Sequence, residues 1–211
     1  MKLLILPKIL RIALVAALAM GAVSCDSIKS ASGGRITSDK FDPPAYRPKN
    51  PSAVRLKLST GAQRLYVVEG DRVLLATPCS VGTASTPTPA GNFRIYSKQA
   101  TRRRQSSPGA GYPMAYWMEF KRAYGMHWGF VKPLPCTHGC VRMPMKSAAK
   151  VFAMIPTGAP LNVASSHPED ATHGKKLPVI DDGPLPNPPN SYLMSPQFFE
   201  DAKYKGKMFL D

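Results

Sequence analysis

Proline is the residue that most constrains how this chain can fold. The sequence contains 22 prolines among 211 residues, about twice the usual proportion. Because proline lacks a backbone N–H and its ring clashes with the preceding helical turn, it disfavours long helices and interrupts strands. We therefore do not expect an all-α bundle. Hydrophobic residues make up 44% of the chain, which is enough for a packed core.

Alternating apolar and polar residues identify the strands that we predict. Val54, Leu56 and Leu58 alternate with charged and polar neighbours, which is the period of a strand with one buried face. Turn sequences such as Glu69-Gly70-Asp71 separate this stretch from further short apolar stretches. We predict strands at residues 54–59, 64–68, 72–77, 92–97, 114–120 and 161–164.

One helix is predicted directly after Pro144, because apolar residues from Ala148 to Ile155 recur with the spacing of one helical face. Pro156 ends this pattern. Residues 98–111, which contain three consecutive arginines, are expected to form an exposed loop. The fold class that follows is mainly β with one or two helices.

The beginning of the chain has the pattern of an export signal. Basic residues precede an uninterrupted apolar run from Ile12 to Met20, which is too short to span a bilayer. The tetrapeptide that ends at Cys25 resembles a bacterial lipobox, in which the Cys is lipidated and becomes the new N-terminus. An ordinary signal peptide that is cleaved nearby is the alternative. We expect a membrane-anchored lipoprotein on the periplasmic side of the cell envelope.

Composition divides the chain into four parts. Residues 1–24 form the expected signal peptide. Residues 25–52 are rich in Ser, Gly, Lys and Pro without an apolar period, which predicts a flexible tether behind the lipidated Cys. Residues 53–165 contain the predicted strands and helix and form the expected folded domain, and residues 166–211 form a Pro-rich C-terminal extension.

The charge of the chain favours partners in the envelope. Lys and Arg number 28 against 13 Asp and Glu, a formal net charge of +15. A basic exported domain is attracted to anionic lipid headgroups and anionic wall polymers. Nucleic acid is not an expected partner outside the cytoplasm.

Two His and two Cys lie within one short stretch of the sequence: His127, Cys136, His138 and Cys140. Zinc binding is one interpretation, but Cys136, His138 and Cys140 lie at every second position, and this spacing does not match the usual pairs of zinc ligands. A structural disulfide is a second, joining Cys136 to Cys140 or to Cys79 in an oxidising compartment.

A nucleophilic cysteine is the third interpretation, and the one that we favour. A free thiol is mostly protonated at neutral pH and needs an imidazole base, while nearby amides can stabilise an oxyanion. Cys140 has Gly139 before it, which allows close approach of a substrate. Both His127 and His138 are candidate bases. We favour His127, because a base on a separate segment can be oriented independently.

The same stretch resembles a known catalytic signature. Residues 137–143, Thr-His-Gly-Cys-Val-Arg-Met, with Gly-Met-His at 125–127, are similar to the signature of the L,D-transpeptidase catalytic domain, the YkuD family. Residues 86–93 and 80–82 resemble further segments of that family. The resemblance covers about residues 54–164, and it implies that residues 53–165 are the catalytic domain. It implies a YkuD-like β-sandwich with the active site on a loop and strand before the main helix.

The resemblance also implies a role for each matching residue. Cys140 matches the nucleophile and His127 the general base, and the amides of Gly139 and Cys140 match the oxyanion donors. Trp128 replaces the small residue that usually follows the base in this family. We therefore expect the groove that binds the acyl donor, here called the donor groove, to be narrower than is usual in the family. Three further residues match those that line the site: Thr137, His138 and Arg142.

The implied reaction is a two-step acyl transfer on peptidoglycan stem peptides through a thioester at Cys140. An amine of a second stem then gives a cross-link between diaminopimelate residues, or an amine of a wall protein anchors that protein. No metal or organic cofactor is implied. Water as the acceptor would make the protein an L,D-carboxypeptidase or endopeptidase. A peptidoglycan-binding lipoprotein without turnover is the non-catalytic alternative.

Overall fold

Strands dominate residues 35–211, the part of the chain that the computed structural model describes. The expected signal peptide and the lipidation site at Cys25 lie outside these residues. The strands are β1 Arg35–Ile36, β2 Val54–Ser59, β3 Arg64–Glu69, β4 Arg72–Pro78, β5 Gly91–Arg94, β6 Ser97–Arg103, β7 Pro113–Lys121, β8 Tyr124–Trp128, β9 Val141–Met143, β10 Pro160–Ala164 and β11 Val179–Ile180. The helices are α1 Met145–Met154, α2 Glu169–Thr172, α3 Asn190–Met194 and α4 Gln197–Asp201. The mainly β fold class is confirmed.

Two sheets, in which most neighbouring strands are antiparallel, share one hydrophobic core with α1. The first sheet has the strand order β4-β3-β2-β10-β5 and the second has the order β6-β7-β8-β9. Apolar side chains of both sheets and of the helix belong to one buried cluster, which includes Leu56, Leu58, Val67, Met118, Met126, Val141 and Val151. This is the expected sandwich, with the helix directly after β9.

The expectation for residues 98–111 is wrong in its first half. Residues up to Arg103 continue β6 and pair with β7 along the edge of the second sheet. Charged and small side chains on both faces give this edge strand no apolar alternation, so periodicity does not reveal it. The loop is therefore a shorter connection between β6 and β7.

Part of the segment that was expected to be a flexible tether is packed against the domain. β1 pairs in parallel with β11, Phe41 is 7% exposed and Ala45 is fully buried. The carboxylate of Asp182 accepts hydrogen bonds from the backbone amides of Ser38 and Val131. These contacts join residues that are far apart in sequence, which explains why local composition predicts no structure there.

The C-terminal extension is also packed against the domain. Leu193, Phe198 and Ala202 contribute to the main hydrophobic core. Tyr116 of β7 donates a hydrogen bond to the carbonyl of Ala202 at 2.9 Å. Among residues 35–211, no helix has the length and hydrophobicity that crossing a bilayer requires.

Lys150 connects α1 to both flanking segments. Its side chain is 5% exposed, and Nζ lies 2.6 Å from Asp42 Oδ1 and 2.8 Å from the carbonyl oxygen of Pro43. The ammonium also lies 5.2 Å from the centre of the Tyr204 ring. A buried ammonium needs such partners, because loss of hydration is costly.

We expect Lys150→Met to weaken this connection. The substitution removes hydrogen bonds from a charged donor, so we expect a loss of about 2 kcal/mol in the free energy of unfolding. This corresponds to a fall of about 4–8 °C in Tm in a thermal unfolding experiment followed by circular dichroism. Lys146→Met is the matched control, since Lys146 lies one turn earlier on α1. Equal Tm values for the two variants would contradict the assignment.

Candidate active site

Parallel pairing of β8 with β9 brings together the two segments that carry the candidate base and the candidate nucleophile. Met126 lies opposite Val141, and His127 lies opposite Arg142. Cys140 immediately precedes β9. Met126, Val141 and Met143 face the hydrophobic core, so alternation directs His127, Arg142 and Cys140 to the other face.

The loop that carries the thiol is held by hydrogen bonds of Thr137. Its Oγ1 donates to the carbonyl oxygen of Cys140 at 2.6 Å and accepts from the Gly139 amide at 3.1 Å. The Thr137 amide donates to the carbonyl of Val81, and Ser80 exchanges both backbone hydrogen bonds with Arg142. Residues 80–82 thus fix the loop from the side opposite to β8.

Gly139 is required by the shape of this loop. Its φ is +103°, a conformation that side chains rarely adopt, and a Cβ there would lie 2.5 Å from Tyr124 Cε1. The Gly139 carbonyl accepts from Thr88 Oγ1 at 2.9 Å. Thr88 belongs to the Pro-rich turn at residues 86–91, so this turn also supports the thiol loop.

A cavity of about 340 Å³ contains the candidate residues. Five of the sequence-predicted site residues line it: His127, Thr137, His138, Cys140 and Arg142. Gly139 lies beneath them and is buried. Its amide already donates to Thr137 Oγ1, whereas the Cys140 amide has no acceptor among the residues that the structure describes.

Trp128 lies elsewhere, which corrects the expectation that it narrows the donor groove. Alternation along β8 places its side chain on the face opposite to His127. There its ring stacks on Tyr112 with centroids 6.2 Å apart and contacts Phe198 of the extension at 4.7 Å. Its bulk therefore supports packing between the domain and the C-terminal extension.

Residues that line the cavity but were not predicted as site residues come from β6, β7 and the loop between them. They include Arg102, Arg104, Tyr112 and Trp117. Trp117 packs against His127, with ring centroids 5.6 Å apart. The three consecutive arginines were the sequence signal that could have identified this part of the site. Because residues 98–111 were expected to form a loop, the sequence did not indicate which of these side chains point into the cavity.

The two candidate bases have very different surroundings. His127 is 5% exposed, and its Nδ1 lies 2.5 Å from the carbonyl oxygen of Trp128. Since a carbonyl only accepts hydrogen bonds, Nδ1 must carry the hydrogen, which leaves Nε2 of the neutral ring as an acceptor. Burial lowers the pKa of His127 to about 4, against the opposing effect of the Trp128 carbonyl. His138 is exposed.

Burial also decides the state of the thiol. It raises the pKa of Cys140 above the ordinary value, while the Gly125 amide and the charges of three arginines oppose this: Arg142, Arg104 and Arg102. The thiol lies 3.8 Å from the carbonyl oxygen of Ala123, a distance that suits a weak S–H donor. At neutral pH the site therefore holds a neutral imidazole and a protonated thiol.

The described residues support neither the disulfide interpretation nor the zinc interpretation of the cysteines. Cys79, Cys136 and Cys140 are all free thiols, and Cys79 is buried with its pKa raised to about 12 by that burial. No group of three or more His, Cys, Asp or Glu side chains within residues 35–211 is arranged to hold a metal ion.

Comparison with known proteins points to one family. The protein-family model described as the L,D-transpeptidase catalytic domain, YkuD, matches residues 53–163 of this chain. A Bacillus licheniformis protein described as an L,D-transpeptidase YkuD is 30% identical over 122 residues, which cover 54% of this chain and 69% of the relative. A Bacillus subtilis protein of the same description is 31% identical, over 51% of this chain and 64% of the relative.

Solved structures with partial similarity carry the same description. An L,D-transpeptidase from Stackebrandtia nassauensis has 23% identity and a TM-score of 0.49, with 59% of this chain and 60% of that chain covered. L,D-transpeptidase 1 from Mycobacterium tuberculosis has 26% identity and a TM-score of 0.46, with 53% and 61% covered. This chain therefore spans less than two thirds of the length of these solved chains.

The neutral state of the thiol predicts how its reactivity changes with pH. Only the thiolate is alkylated, and the raised pKa leaves little thiolate at neutral pH. We expect the rate of iodoacetamide labelling at Cys140 to rise about tenfold per unit between pH 6 and pH 8. Mass spectrometry of peptides from the Cys136→Ser variant assigns the label, with buried Cys79 as an unreactive internal control.

A labelling rate that stays constant from pH 5 to pH 8 would contradict this prediction. That behaviour is typical of a thiolate stabilised by an imidazolium, in which the sulfur is already ionised below neutral pH.

Proposed function

We propose that this chain, which belongs to the YkuD family of L,D-transpeptidase catalytic domains, is a cysteine acyltransferase that acts on peptidoglycan stem peptides. The observation that supports this most strongly is the neutral imidazole of His127 in one cavity with the thiol of Cys140. Its free Nε2 can accept the thiol proton, which is what acyl transfer by a cysteine requires.

The first step acylates the enzyme. As the sulfur of Cys140 attacks the carbonyl carbon between diaminopimelate and the terminal D-Ala, the thiol proton moves to Nε2 of His127. The S–C bond forms, the C–N bond to D-Ala breaks, and the imidazolium returns its proton to the leaving amine. Because the resting thiol is protonated, proton transfer accompanies attack, and a positioned base contributes about 10²–10⁴-fold to the rate.

The oxyanion of the tetrahedral intermediate needs a donor near the sulfur. The Cys140 amide suits this role, since it has no acceptor among the described residues. The Gly139 amide donates to Thr137 Oγ1 and serves chiefly to hold the loop. One amide donor of this kind contributes about 10²–10³-fold.

The second step releases the acyl group. The amine of a second stem attacks the thioester carbonyl, so that a C–N bond forms and the S–C bond breaks. His127 takes the amine proton and passes it to the departing sulfur, which regenerates the thiol of Cys140. The product is a direct link between diaminopimelate residues, or an anchored protein where a protein amine is the acceptor. No step requires a metal ion or an organic cofactor.

Incubation with purified tetrapeptide muropeptides tests this function. We expect mass spectrometry to show linked dimers, release of D-Ala and an acyl adduct on Cys140. Cys140→Ala should abolish the adduct and both products, and His127→Gln should slow turnover by about 10²–10⁴-fold. Cys136→Ala is the matched control, because it removes the neighbouring thiol and should keep activity.

Other outcomes of this experiment separate the alternatives. Release of D-Ala without dimers would identify a carboxypeptidase that uses the same thioester. Turnover by Cys140→Ala, or its loss in Cys136→Ala, would contradict the assignment of the nucleophile. Absence of both adduct and products from the unaltered protein would favour a peptidoglycan-binding lipoprotein.

We also propose that the protein works in the cell envelope, anchored on the periplasmic side of a membrane through a lipid on Cys25. The apolar run of the N-terminal segment and the net charge of +15 support this location. Inhibition of lipoprotein signal peptidase should make the unprocessed precursor accumulate. A mature soluble form that is unaffected by the inhibitor would indicate ordinary secretion instead.

A further inference from the structure

Three consecutive arginines point in alternating directions: Arg102 and Arg103 at the end of β6, and Arg104 directly after it. Arg102 and Arg104 line the cavity that contains Cys140. Arg103 faces the other way, and its guanidinium donates to the carbonyl oxygens of Gly111, Leu193 and Ser195 at 2.8–2.9 Å. A run that looks uniform in sequence therefore has two functions, one toward the cavity and one toward the C-terminal extension.

Arg103 fixes the position of the strand that carries the other two arginines. Besides its three carbonyl acceptors, its guanidinium lies 4.7 Å from the centre of the Phe199 ring. Leu193 and Ser195 belong to the C-terminal extension, so this extension holds the end of β6 in place. Such positioning reduces the conformational entropy that a binding side chain loses when it meets its ligand.

The cavity contains three guanidinium groups and no acidic side chain. None of the residues that line it is Asp or Glu, and none of the six ion pairs among residues 35–211 includes Arg102, Arg104 or Arg142. An enclosed group of like charges repels itself, and an anion in the cavity would relieve that repulsion.

Arg102 shows most directly that a partner is missing. Its Nε is buried without any hydrogen-bond acceptor, its Nη1 has only a long contact of 3.5 Å to Gln99 Oε1, and its guanidinium lies 4.7 Å from the centre of the Trp117 ring. Buried polar groups without partners are rare in proteins, because each costs free energy. Stacking on Trp117 leaves the edge of the guanidinium as the part that can donate, and this planar edge matches the two oxygens of a carboxylate.

We propose that Arg102 and Arg104 bind a free carboxylate of the acyl donor, so that the site selects stem peptides that carry this carboxylate over those that carry a carboxamide. The inference rests on the proposed function and names the donor chemistry of the same site. A tetrapeptide stem offers two such groups near the scissile bond: the terminal carboxylate of D-Ala and the side-chain carboxylate of diaminopimelate.

Equilibrium binding to the Cys140→Ala protein tests the inference without depending on turnover. Three ligands are compared by isothermal titration calorimetry: the tetrapeptide stem, its terminal carboxamide, and its diaminopimelate carboxamide. We expect one of the carboxamides to bind about 10–100-fold more weakly than the free stem, as expected for lost charge-assisted hydrogen bonds. The ligand that loses affinity identifies the carboxylate that is bound.

Substitutions in the same background assign the effect to the two arginines. Arg102→Gln or Arg104→Gln should reduce the preference for carboxylate over carboxamide toward one. Arg102→Lys should retain part of it, since it keeps the charge and loses the planar fork. Arg55→Gln is the matched control, because it removes one positive charge from an exposed position on β2.

Equal binding of the free stem and both carboxamides would overturn the inference, as would an unchanged preference in both glutamine variants or no binding of the stem. If Arg102→Gln fails to fold, the half-buried Arg104 still provides a variant that decides the question. Selective binding by Cys140→Ala without any turnover by the unaltered protein would overturn the proposed function, while the binding of a stem carboxylate by the two arginines would still hold.

Discussion

The pairing of two parallel strands, β8 and β9, is the contact on which the rest of the site depends. Parallel strands require a long connection, and here that connection carries the thiol at its end. His127 on one strand and Cys140 just before the other are therefore brought into one cavity by backbone hydrogen bonds rather than by a hydrogen bond between them. Ser80 pairs with Arg142 on the opposite side, so the loop is supported by backbone on both flanks.

Burial then determines the electrostatics of the pair. It keeps the imidazole neutral and the thiol protonated, while the Trp128 carbonyl selects the tautomer with a free Nε2. The guanidinium groups around the cavity act in the opposite direction on the thiol and lower its pKa. Residues outside the family region contribute as well, because the C-terminal extension holds β6 through Arg103.

Local signals predicted the local structure, and long-range contacts explain what they missed. Alternation in β2 and the apolar face of α1 were sufficient because both patterns depend on burial of one face. The packing of Ser38 on Asp182 joins residues 144 positions apart, which composition does not reveal. The site motif predicted the residues on the thiol loop, whereas Arg102 and Arg104 required knowledge that β6 is a strand, and its polar edge gives no periodic signal.

The most direct test of this account is the protonation state of His127 in the unaltered protein. Nitrogen-15 NMR of the imidazole distinguishes the two neutral tautomers from the imidazolium. We predict the Nδ1–H tautomer throughout pH 5.5–8, whether or not Cys140 is replaced by Ala, because burial and the Trp128 carbonyl determine it. An imidazolium at pH 7 that disappears in Cys140→Ala would show a thiolate–imidazolium pair and contradict the account.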